Sequence, residues 1–545
     1  MSGEETAEKF SAEFASNFSA AGTLLNEEEL AGLADDGGLL LNCTQGDVTE
    51  ALQSCANSAA GPDGVSFTTI KKLANVLAAP LTIIFQQSLA QGLFPTKWKM
   101  ANVIPIYKGK GDKSSAASYR PVSLCPCFGK LLETIVKKQL ERHVDMHAPL
   151  SSTQHGFRAG RSTTSNLLAC DARIADLVNQ SKPYDIITFD FRRAFDRVPH
   201  ADMLAALADV GLQHTSLKWF SSYFSDRQQR VVVAGTSSEP KGVTSGVVQG
   251  SVLGPLCFSI FINPLLVRLA DLLPNSSFAY ADDVKFVIGT TEKDYALASS
   301  AITVLSAWAV KHNMPLSLEK CVVLYCGCNN PARQYTLGGA VMPSTLTFKD
   351  LGIVKAPIKI YQDHYNQMVA NCRRTSGMVR RCFRSRDARL QWQAFNAYVR
   401  PCLMYGSCAW SPLYRKDVNL VEGVQQRFTK WLPGFSHLSY NERLRRLNTL
   451  SLEHARQCAD VTYIFKCLRG LHGVRLEDIG LALSFNNERS GRVRLQQRVI
   501  TNNKAAALFS FRACKEWNRL PLAIADAVSL RLFTQALHIM YSSRY

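Results

Sequence analysis

Two adjacent aspartates, Asp282 and Asp283, have the type and setting that point most directly to chemistry. They lie between an apolar and aromatic run at 278–281 and a β-prone run at 284–288, so the pair is predicted to form the tip of a tight hairpin. Two carboxylates held together raise each other's proton affinity, and a divalent cation such as Mg²⁺ removes that repulsion. The alternative is a surface turn with two solvated acids, and the pair alone does not decide between the two.

A third aspartate, Asp190, ends a predicted strand earlier in the chain. Residues 184–191 are rich in β-branched side chains, which predicts a central strand, and packing explains an acid at the end of such a strand poorly. Asp190 and Asp282 are 92 residues apart. If their strands are neighbours, the carboxylates converge and could hold two Mg²⁺ ions about 3.5–4 Å apart. One ion would activate a 3′-hydroxyl and the other would hold a triphosphate, a phosphoryl transfer that depends on positioning and charge.

The elements that must position these acids alternate between strands and helices. Helices are predicted at 70–89, at 129–143, from near Ser162, at 192–196 and at 294–312, and strands at 98–106, 119–124, 184–191, within 314–325, and at 348–353. From residue 361 onward the pattern is helical almost throughout, with basic residues interleaved with aromatics. That interleaving suits phosphate contacts and base stacking, although aromatics at helical spacing also form cores.

Several loops combine basic residues or glycines with a predicted element. The 108–113 loop concentrates Lys and Gly, which is typical of a phosphate-contacting tip and equally of a solvated turn. Arg158 and Arg161 precede a helix that Ser162 or Thr163 would cap, so an anion docked there would be favoured. A Gly-rich loop with Gln249 and Gly250 precedes an apolar helix and would allow close approach to a flat ligand.

Length and charge favour a large nucleic-acid-binding protein. The 545 residues predict two to four packed units, and the net charge of +18 comes entirely from residues 371–545, which hold 29 Lys and Arg against 11 Asp and Glu. Such asymmetry favours a polyanionic partner, and nucleic acid is favoured over a membrane surface. The alternative is an arginine-rich helical face that is exposed to solvent and has no partner.

The remaining composition indicates an intracellular protein. The 16 cysteines lack the spacing of a zinc site and are interpreted as buried or free thiols in a reducing compartment. The acidic N-terminus has no apolar core, so no signal peptide is expected. Residues 73–94 carry no charge, but Pro80 and several polar residues predict a buried helix rather than a membrane span.

Taken together, these motifs resemble the reverse transcriptases of non-LTR (LINE-type) retrotransposons, with a jockey-like character, from about residue 61 to the C-terminus. YADD at 280–283 resembles the family's central catalytic box, and FDFRRAFDRV at 189–198 its first metal box. SGVVQGSVLGPLCFSIFIN at 245–263 resembles the box that packs on the nucleotide and template. YRPVSL and QHGFRAGRST resemble the fingers motifs, and FKDLGI the primer-grip region. Six or more boxes in the family's order make the resemblance specific.

The resemblance implies roles for individual residues. It implies Asp190, Asp282 and Asp283 as ligands of two Mg²⁺ ions, with Mn²⁺ as a substitute, and Lys320 as the group that protonates the departing pyrophosphate. It implies that Arg120 binds the triphosphate, that Lys108 binds it more weakly, and that Arg158 and Arg161 contact either the triphosphate or the template. Phe195 would be the gate that excludes a ribose 2′-hydroxyl. Gln249 and Gly250 would contact the base of the incoming nucleotide.

The implied fold is α+β, a right-hand polymerase whose palm has an antiparallel sheet. The expected divisions are a polar N-terminal leader (1–60), fingers and palm (61–360), a helical thumb (361–475) and a basic C-terminal extension (476–545). The implied activity is RNA-directed DNA synthesis by target-primed reverse transcription. Its partners would be an RNA template, a DNA primer or target, and dNTPs, and no membrane partner is expected. The expected location is intracellular, in the nucleus and in cytoplasmic ribonucleoprotein.

Two features depart from the family pattern. No endonuclease precedes the match, and no zinc knuckle or RNase H segment is recognisable, which suggests a polymerase segment of a larger reading frame or a truncated copy. The alternative function is therefore a catalytically idle remnant that only binds nucleic acid. A group II intron maturase shares the palm chemistry, but the C-terminal motifs fit it poorly.

Overall fold

The structure is a computed structural model that describes residues 3–19, 25–56, 59–358, 360–383, 385–484 and 493–545. The chain forms two compact units, each assembled from separate stretches. Unit 1 comprises Met1–Phe157, Asp190–Asp271 and Thr303–Ser317, and unit 2 comprises Arg158–Phe189, Leu272–Ile302 and Leu318–Tyr545. Both units draw on the 61–360 segment, and the functional boundaries expected at 60, 360 and 475 stay a prediction.

Strands and helices alternate over the first two thirds of the chain, and helices follow, numbered here in chain order. The strands are β1 (Met100–Tyr107), β2 (Tyr119–Leu124), β3 (Tyr184–Phe189), β4 (Gln228–Val233), β5 (Thr236–Ser237), β6 (Lys241–Gly242), β7 (Ser277–Tyr280), β8 (Asp283–Gly289), β9 (Val322–Cys326), β10 (Thr336–Leu337), β11 (Ala340–Val341), β12 (Phe348–Asp350) and β13 (Ile353–Lys355). The helices up to residue 311 are α1 (Gly3–Ala15), α2 (Glu27–Leu33), α3 (Gln45–Ser54), α4 (Phe67–Lys72), α5 (Ala74–Gln91), α6 (Cys127–His147), α7 (Thr163–Asn179), α8 (Ala194–Arg197), α9 (His200–Asp209), α10 (His214–Phe224), α11 (Gly254–Leu272) and α12 (Glu292–Lys311). The later helices are α13 (Gln362–Cys382), α14 (Ala388–Tyr398), α15 (Arg400–Met404), α16 (Ser407–Trp410), α17 (Arg415–Trp431), α18 (Tyr440–Arg446), α19 (Leu452–Leu468), α20 (Phe509–Arg519), α21 (Leu522–Ala525) and α22 (Leu530–Ser542).

Unit 1 contains a mixed sheet in the order β2-β1-β4-β5, with β6 also paired to β4. Strands β1 and β4 run parallel, with Val103 opposite Val231. Helix α1 covers this sheet, because its Phe14 joins those two valines in a buried cluster that Phe10 and Tyr119 border. Residues 10 and 14 lie one helical turn apart, so a single face of α1 packs on the sheet.

Unit 2 contains an antiparallel sheet in the order β7-β8-β3-β9. The central strand β3 pairs with β8 and β9, and Ile186 lies opposite Val287 on one side and Leu324 on the other. These three side chains are buried in the main core of the unit. The strand is central and covered on both faces, which explains why five of the six residues of 184–189 are buried, Asp185 among them.

Most predicted elements are present, with shifted ends. The strand predicted at 119–124 is β2, and α6 extends the helix predicted at 129–143 by a few residues at each end. The helix predicted at 70–89 is two helices, because the chain leaves helical geometry at Leu73 between α4 and α5. Helix α5 is buried only on one face: Phe85 is fully buried, whereas Ile83 is 65% exposed. The expectation of a buried helix there is therefore only partly right.

The prediction of a single strand at 348–353 is wrong. Strands β12 and β13 pair antiparallel as a hairpin, with Asp350 opposite Ile353. The turn residues Leu351 and Gly352 both have positive φ, 44° and 92°. Two positive φ angles close a two-residue hairpin with the correct twist, and the glycine accepts its angle without steric cost.

Membrane and thiol chemistry can be stated for the described residues. One helix, α11, is long and apolar enough to cross a membrane by length and composition alone, and since 56% of its apolar window is buried, this is weak evidence for a span. The 16 cysteines are free thiols. Burial raises the pKa of several of them, for example that of Cys326 to about 12, so they are not nucleophilic at neutral pH.

Candidate active site

The adjacent aspartates lie at a two-residue β-hairpin. Strands β7 and β8 pair so that Tyr280 lies opposite Asp283, which leaves Ala281 and Asp282 as the turn. The predicted hairpin is confirmed, with the difference that Asp283 is already the first residue of β8. Ala281 has a φ of 57°, an angle that costs a non-glycine residue free energy and that is concentrated at functional sites.

The hairpin is hydrogen-bonded to helix α7, which follows the loop that carries Arg158 and Arg161. Asn166 of α7 is fully buried and its side-chain amide donates to the carbonyl of Ala279, at 2.9 Å. That carbonyl belongs to β7, immediately before the YADD tyrosine. Asn166 thus fixes the strand that carries the turn, and no sequence motif indicated it.

The register of the unit 2 sheet brings three chain positions to one edge. Phe189, the last residue of β3, lies opposite Val284 of β8, and Thr188 lies opposite Val322 of β9. The β8 acids therefore lie at the edge where β3 ends, and Lys320 comes two residues before β9 at the same edge. Lys320 is exposed.

Asp190 follows Phe189 directly in the chain and is counted with unit 1, where its carbonyl accepts from the backbone N–H of Ser317 at 2.8 Å. Across the described ranges, no group of three His, Cys, Asp or Glu side chains is arranged to hold a metal ion. Convergence of the Asp190, Asp282 and Asp283 carboxylates stays a prediction.

The predicted gate residue Phe195 lies on the short helix α8 of unit 1. Its ring stacks on Phe258 at 4.4 Å between centroids and meets Phe157 edge-on at 5.8 Å. Its carbonyl accepts from the backbone N–H of Val247 at 2.7 Å. Phe195 is therefore held on both its ring and its backbone, as a residue with a steric role requires.

Gln249 and Gly250 are fixed from two directions. The side-chain amide of Gln249 donates to the Asp196 carboxylate at 2.7 Å. The backbone carbonyl of Gln249 accepts from the backbone N–H of Ser123, also at 2.7 Å. Gly250 has a φ of 119°, and a Cβ there would lie 2.3 Å from the Ser123 carbonyl oxygen. Only glycine fits at this position. The expected close approach to the Gly250 backbone is therefore present, but the group that approaches it is strand β2 and not a ligand.

The loop before α11 is also capped by a buried acid that the sequence did not indicate. Glu133 of α6 is 1% exposed, and one of its carboxylate oxygens accepts from the backbone N–H groups of Val252 and Leu253 at 2.6 and 3.1 Å. Burial raises its pKa. These two N–H groups precede α11, so Glu133 satisfies donors that would otherwise be unpaired at the start of that helix.

The two remaining unit 1 candidates differ in their surroundings. Lys108 is exposed, and its ammonium donates to the carbonyl of Ala117 at 2.7 Å within its own β-hairpin. Arg120 of β2 is exposed opposite Ile106. Arg120 thus presents its guanidinium at the surface of the sheet. Lys108 is exposed too, but its ammonium also stabilises its own loop through the hydrogen bond to Ala117.

Arg158 and Arg161 belong to unit 2, at the start of α7. Ser162 is the N-cap, as expected, and its side chain accepts from the backbone N–H of Ser165. Burial, together with the like charge of Arg158, lowers the pKa of Arg161 to about 10, so it is a cation at neutral pH. The carbonyl of Gly160 accepts from the backbone N–H of Gly473 at 3.0 Å, so a C-terminal stretch packs on this loop.

A buried network of charges lies behind the hairpin of unit 2. Lys285 of β8 donates to both carboxylate oxygens of Asp350 at 2.6 and 2.7 Å, and Lys355 of β13 contacts Asp350 and Asp171, each at 3.2 Å. Tyr361 completes the set by donating to Asp171. All five side chains are 6% exposed or less. The network ties the β12–β13 hairpin, the predicted primer-grip region, to the strand that begins with Asp283.

The charges set each other's protonation states. Burial raises the pKa of Asp350, but the ammonium groups of Lys285 and Lys355 outweigh it and hold that pKa below its usual value. Burial lowers the pKa of Lys355, and Asp171 and its other neighbours raise it well above its usual value. Both groups are therefore charged at neutral pH. The sequence signal was a lysine inside an otherwise apolar strand, which was not recognised.

The basic, aromatic helices of unit 2 divide between core and surface. Trp410 is fully buried and Phe428 is 3% exposed, whereas Tyr405 and Tyr414 are 45% and 56% exposed. Some cations are internal as well: Arg512 pairs with the buried Asp460 at 2.9 Å. The interleaved pattern is thus partly a core and partly a surface that can meet phosphates and bases.

Part of the chain is similar to known proteins. Residues 108–355 match the family model described as "Reverse transcriptase (RNA-dependent DNA polymerase)". The chain is 25% identical over 405 residues to the RNA-directed DNA polymerase from mobile element jockey of Drosophila melanogaster, covering 69% of this chain and 42% of that protein. It is 26% identical over 404 residues to the probable RNA-directed DNA polymerase from transposon BS of the same species, covering 70% and 43%.

A solved structure of apo telomerase from Candida tropicalis is also similar, at 14% identity and a TM-score of 0.34, over 52% of this chain and 60% of that one. The matched region spans less than half the length of the two Drosophila proteins.

Proposed function

Because this chain carries a reverse transcriptase domain of the non-LTR retrotransposon type, we propose that it is an RNA-directed DNA polymerase that adds dNTPs to a primer 3′-hydroxyl on an RNA template. Target-primed synthesis, in the nucleus and in cytoplasmic ribonucleoprotein, would be its cellular setting. The observation that supports this most is the edge of the unit 2 sheet, where β3 ends opposite the first residues of β8.

The carboxylates at this edge suit divalent cations. Asp282 is half-buried and Asp283 is exposed at the start of β8, and Asp190 follows the paired end of β3. Asp190, Asp282 and Asp283 would hold two Mg²⁺ ions, which hard oxygen ligands prefer, with Mn²⁺ as a substitute. Bound ions would lower the pKa of the primer hydroxyl and offset charge on the triphosphate.

The chain's own side chains would bind and orient the nucleotide. Arg120 would clamp the triphosphate with a guanidinium that pairs two oxygens at once, Lys108 would add a weaker contact, and Gln249 with Gly250 would border the base. Phe195, held by Phe258, would exclude a ribose 2′-hydroxyl. Lys320 at the sheet edge would donate a proton to the departing pyrophosphate.

The basic helices of unit 2 would grip the template–primer duplex as a thumb. Arg427 and Lys430 are exposed on α17, and Tyr414, directly before the start of that helix, is exposed as well. Arg158 and Arg161 would contact the template or the triphosphate. Contacts of this kind address the phosphate backbone, so affinity should fall steeply as salt rises.

Primer extension with purified full-length chain tests the proposal. RNA and DNA templates annealed to the same DNA primer, with dNTPs and Mg²⁺, should both be copied, and chelation of the metal should stop synthesis. Asp282→Asn should reduce the rate by at least about 1,000-fold, the range expected when charge stabilisation at the reacting phosphate is lost. Its duplex affinity should remain within about twofold of the unmodified chain.

The matched control is Asp294→Asn, an acid of unit 2 that pairs with Thr291 at the start of α12. It should leave the rate unchanged apart from any loss of folded protein. A chain that binds duplex normally but incorporates no nucleotide with either metal would contradict the proposal and favour the idle remnant. Retained synthesis by Asp282→Asn would show that the metal site lies elsewhere.

A further inference from the structure

The last turn of helix α1 and the residues that follow it contact both loops of unit 1 that carry nucleotide-binding candidates. Glu13, near the end of α1, pairs with Arg193 at 2.6 Å, immediately before α8. Arg193 has a φ of 53°, the left-handed conformation that lets the chain turn from Asp190 into the helix carrying Phe195. The N-terminal segment therefore supports a turn that is unfavourable on its own.

Asn17 reaches the carboxylate that also positions Gln249. The Gln249 side-chain amide donates to the Asp196 carboxylate at 2.7 Å, and the Asn17 side chain lowers the pKa of the same carboxylate through a side-chain hydrogen bond; Asn17 and Asp196 are 4% and 7% exposed. Burial raises the pKa of this carboxylate, and the two amides counteract that rise. A buried acceptor that loses one donor draws more strongly on the remaining one. The orientation of Gln249 is therefore coupled to Asn17.

Ser19 and Ser245 form a second link. The Ser245 hydroxyl donates to the carbonyl of Asp196 at 2.8 Å and accepts from the backbone N–H of Ser19, also at 2.8 Å. The Thr244 hydroxyl donates to the carbonyl of Ser19 at 2.9 Å. Ser245 is 1% exposed. The segment 13–19 is thus hydrogen-bonded to the end of α8 and to the loop that leads to Gln249.

We propose that Glu13, Asn17 and Ser19 together form a positioning element of the nucleotide pocket. The inference rests on the proposed polymerase function. It assigns a role to part of the stretch that the sequence marked only as a polar leader. Asn17 and the backbone of Ser19 hold the two segments that present Phe195 and Gln249, so nucleotide affinity and sugar selection depend on them.

The test compares Asn17→Ala with Ser16→Ala in the full-length chain. Ser16 is exposed and its hydroxyl donates only within its own helix, to the carbonyl of Glu13, so its loss should change nothing. Asn17→Ala should raise the dNTP KM roughly tenfold, the value of one buried hydrogen bond to a charged acceptor, while kcat changes less than about twofold. Ser245→Ala should act in the same direction by breaking the second link.

A structural role alone predicts a different pattern. It would lower the amount of active protein and the unfolding temperature while the dNTP KM and the ratio of kcat/KM for dCTP over CTP stay at their original values. The proposal expects that ratio to fall several-fold, because Phe195 follows the displaced backbone. An unchanged KM and ratio in both Asn17→Ala and Ser245→Ala would overturn it. If the unmodified chain incorporates no nucleotide, the polymerase proposal fails instead, so the two failures are distinguishable.

Discussion

The two units hold their candidate residues by different kinds of interaction. In unit 2, the strand that begins with Asp283 is anchored by full charges, because Lys285 and Asp350 are 5% and 6% exposed and paired at 2.6 Å. In unit 1, Gln249 and Phe195 are held by hydrogen bonds between neutral groups or to a single carboxylate, and by ring stacking. The difference separates a part that must stay rigid from a part that can adjust.

Buried ion pairs and neutral hydrogen bonds respond differently to the loss of a partner. Removing one partner of a buried ion pair leaves an uncompensated charge, so such a network tolerates almost no intermediate arrangement. Neutral hydrogen bonds contribute less each and can be exchanged for water when a ligand enters. If the edge in unit 2 binds metal ions and the loops of unit 1 bind the nucleotide, as proposed, the edge would benefit from the first behaviour and the loops from the second.

The largest effect is expected at the centre of the charge network. Asp350→Asn leaves Lys285 and Lys355 without their shared carboxylate and should lower the free energy of unfolding by about 3–5 kcal/mol, measured by urea denaturation. Asp526→Asn is the matched control, because Asp526 is exposed at the end of α21 and should cost less than about 0.5 kcal/mol. Equal losses in the two variants would remove the distinction between the units.

The pH dependence of the same pair sharpens the distinction. The pKa of Asp350 is lowered in the folded chain, so its contribution to stability is fully present above its unfolded pKa, about 4, and is lost as the pH falls through the lower folded value. The stability difference between the unmodified chain and Asp350→Asn should therefore be constant near neutrality and shrink below about pH 4. Urea titrations at several pH values measure it; a difference that grows in acid would contradict the sign.

In unit 1, the close backbone contact at Gly250 predicts a smaller loss. Gly250→Ala places a Cβ against the Ser123 carbonyl, whereas Gly235→Ala, also at positive φ, meets nothing within 4 Å. Both substitutions strain the backbone, so their difference isolates the contact and should be about 1–3 kcal/mol. Gly250→Ala should in addition raise the dNTP KM. Equal stability for the two variants would mean that β2 moves aside without cost.

Strands and motif boxes were predictable from the sequence because their signals are local. The run at 119–124 and the cap at Ser162 need only near neighbours, so the structure has them where expected. The α+β class was implied by the family resemblance that these motif boxes carry. The 348–353 hairpin was missed because two short strands and a tight turn have the length of one ordinary strand.

The supports of the site were not predictable, because they join residues far apart in the chain. Lys285 and Asp350 are 65 residues apart, and Asn17 and Asp196 belong to segments that the chain alone does not connect. A buried lysine or asparagine has no periodicity of its own; its partner is known only once the fold brings both together. The convergence of Asp190 with Asp282 and Asp283 is still a prediction, and the family pattern is its main support.

The smallest effect concerns two matched helix caps, one in each unit. Ser162 caps α7 and Thr44 caps α3, each in a reciprocal arrangement with the third helical residue. Either one replaced by alanine should lose about 1 kcal/mol of unfolding free energy. Only Ser162→Ala should also weaken template–primer binding, by several-fold, because Ser162 orders the loop of Arg158 and Arg161. Binding titrations at fixed salt measure this, and an equal loss of binding in Thr44→Ala would show that the arginine loop of unit 2 has no special part in holding nucleic acid.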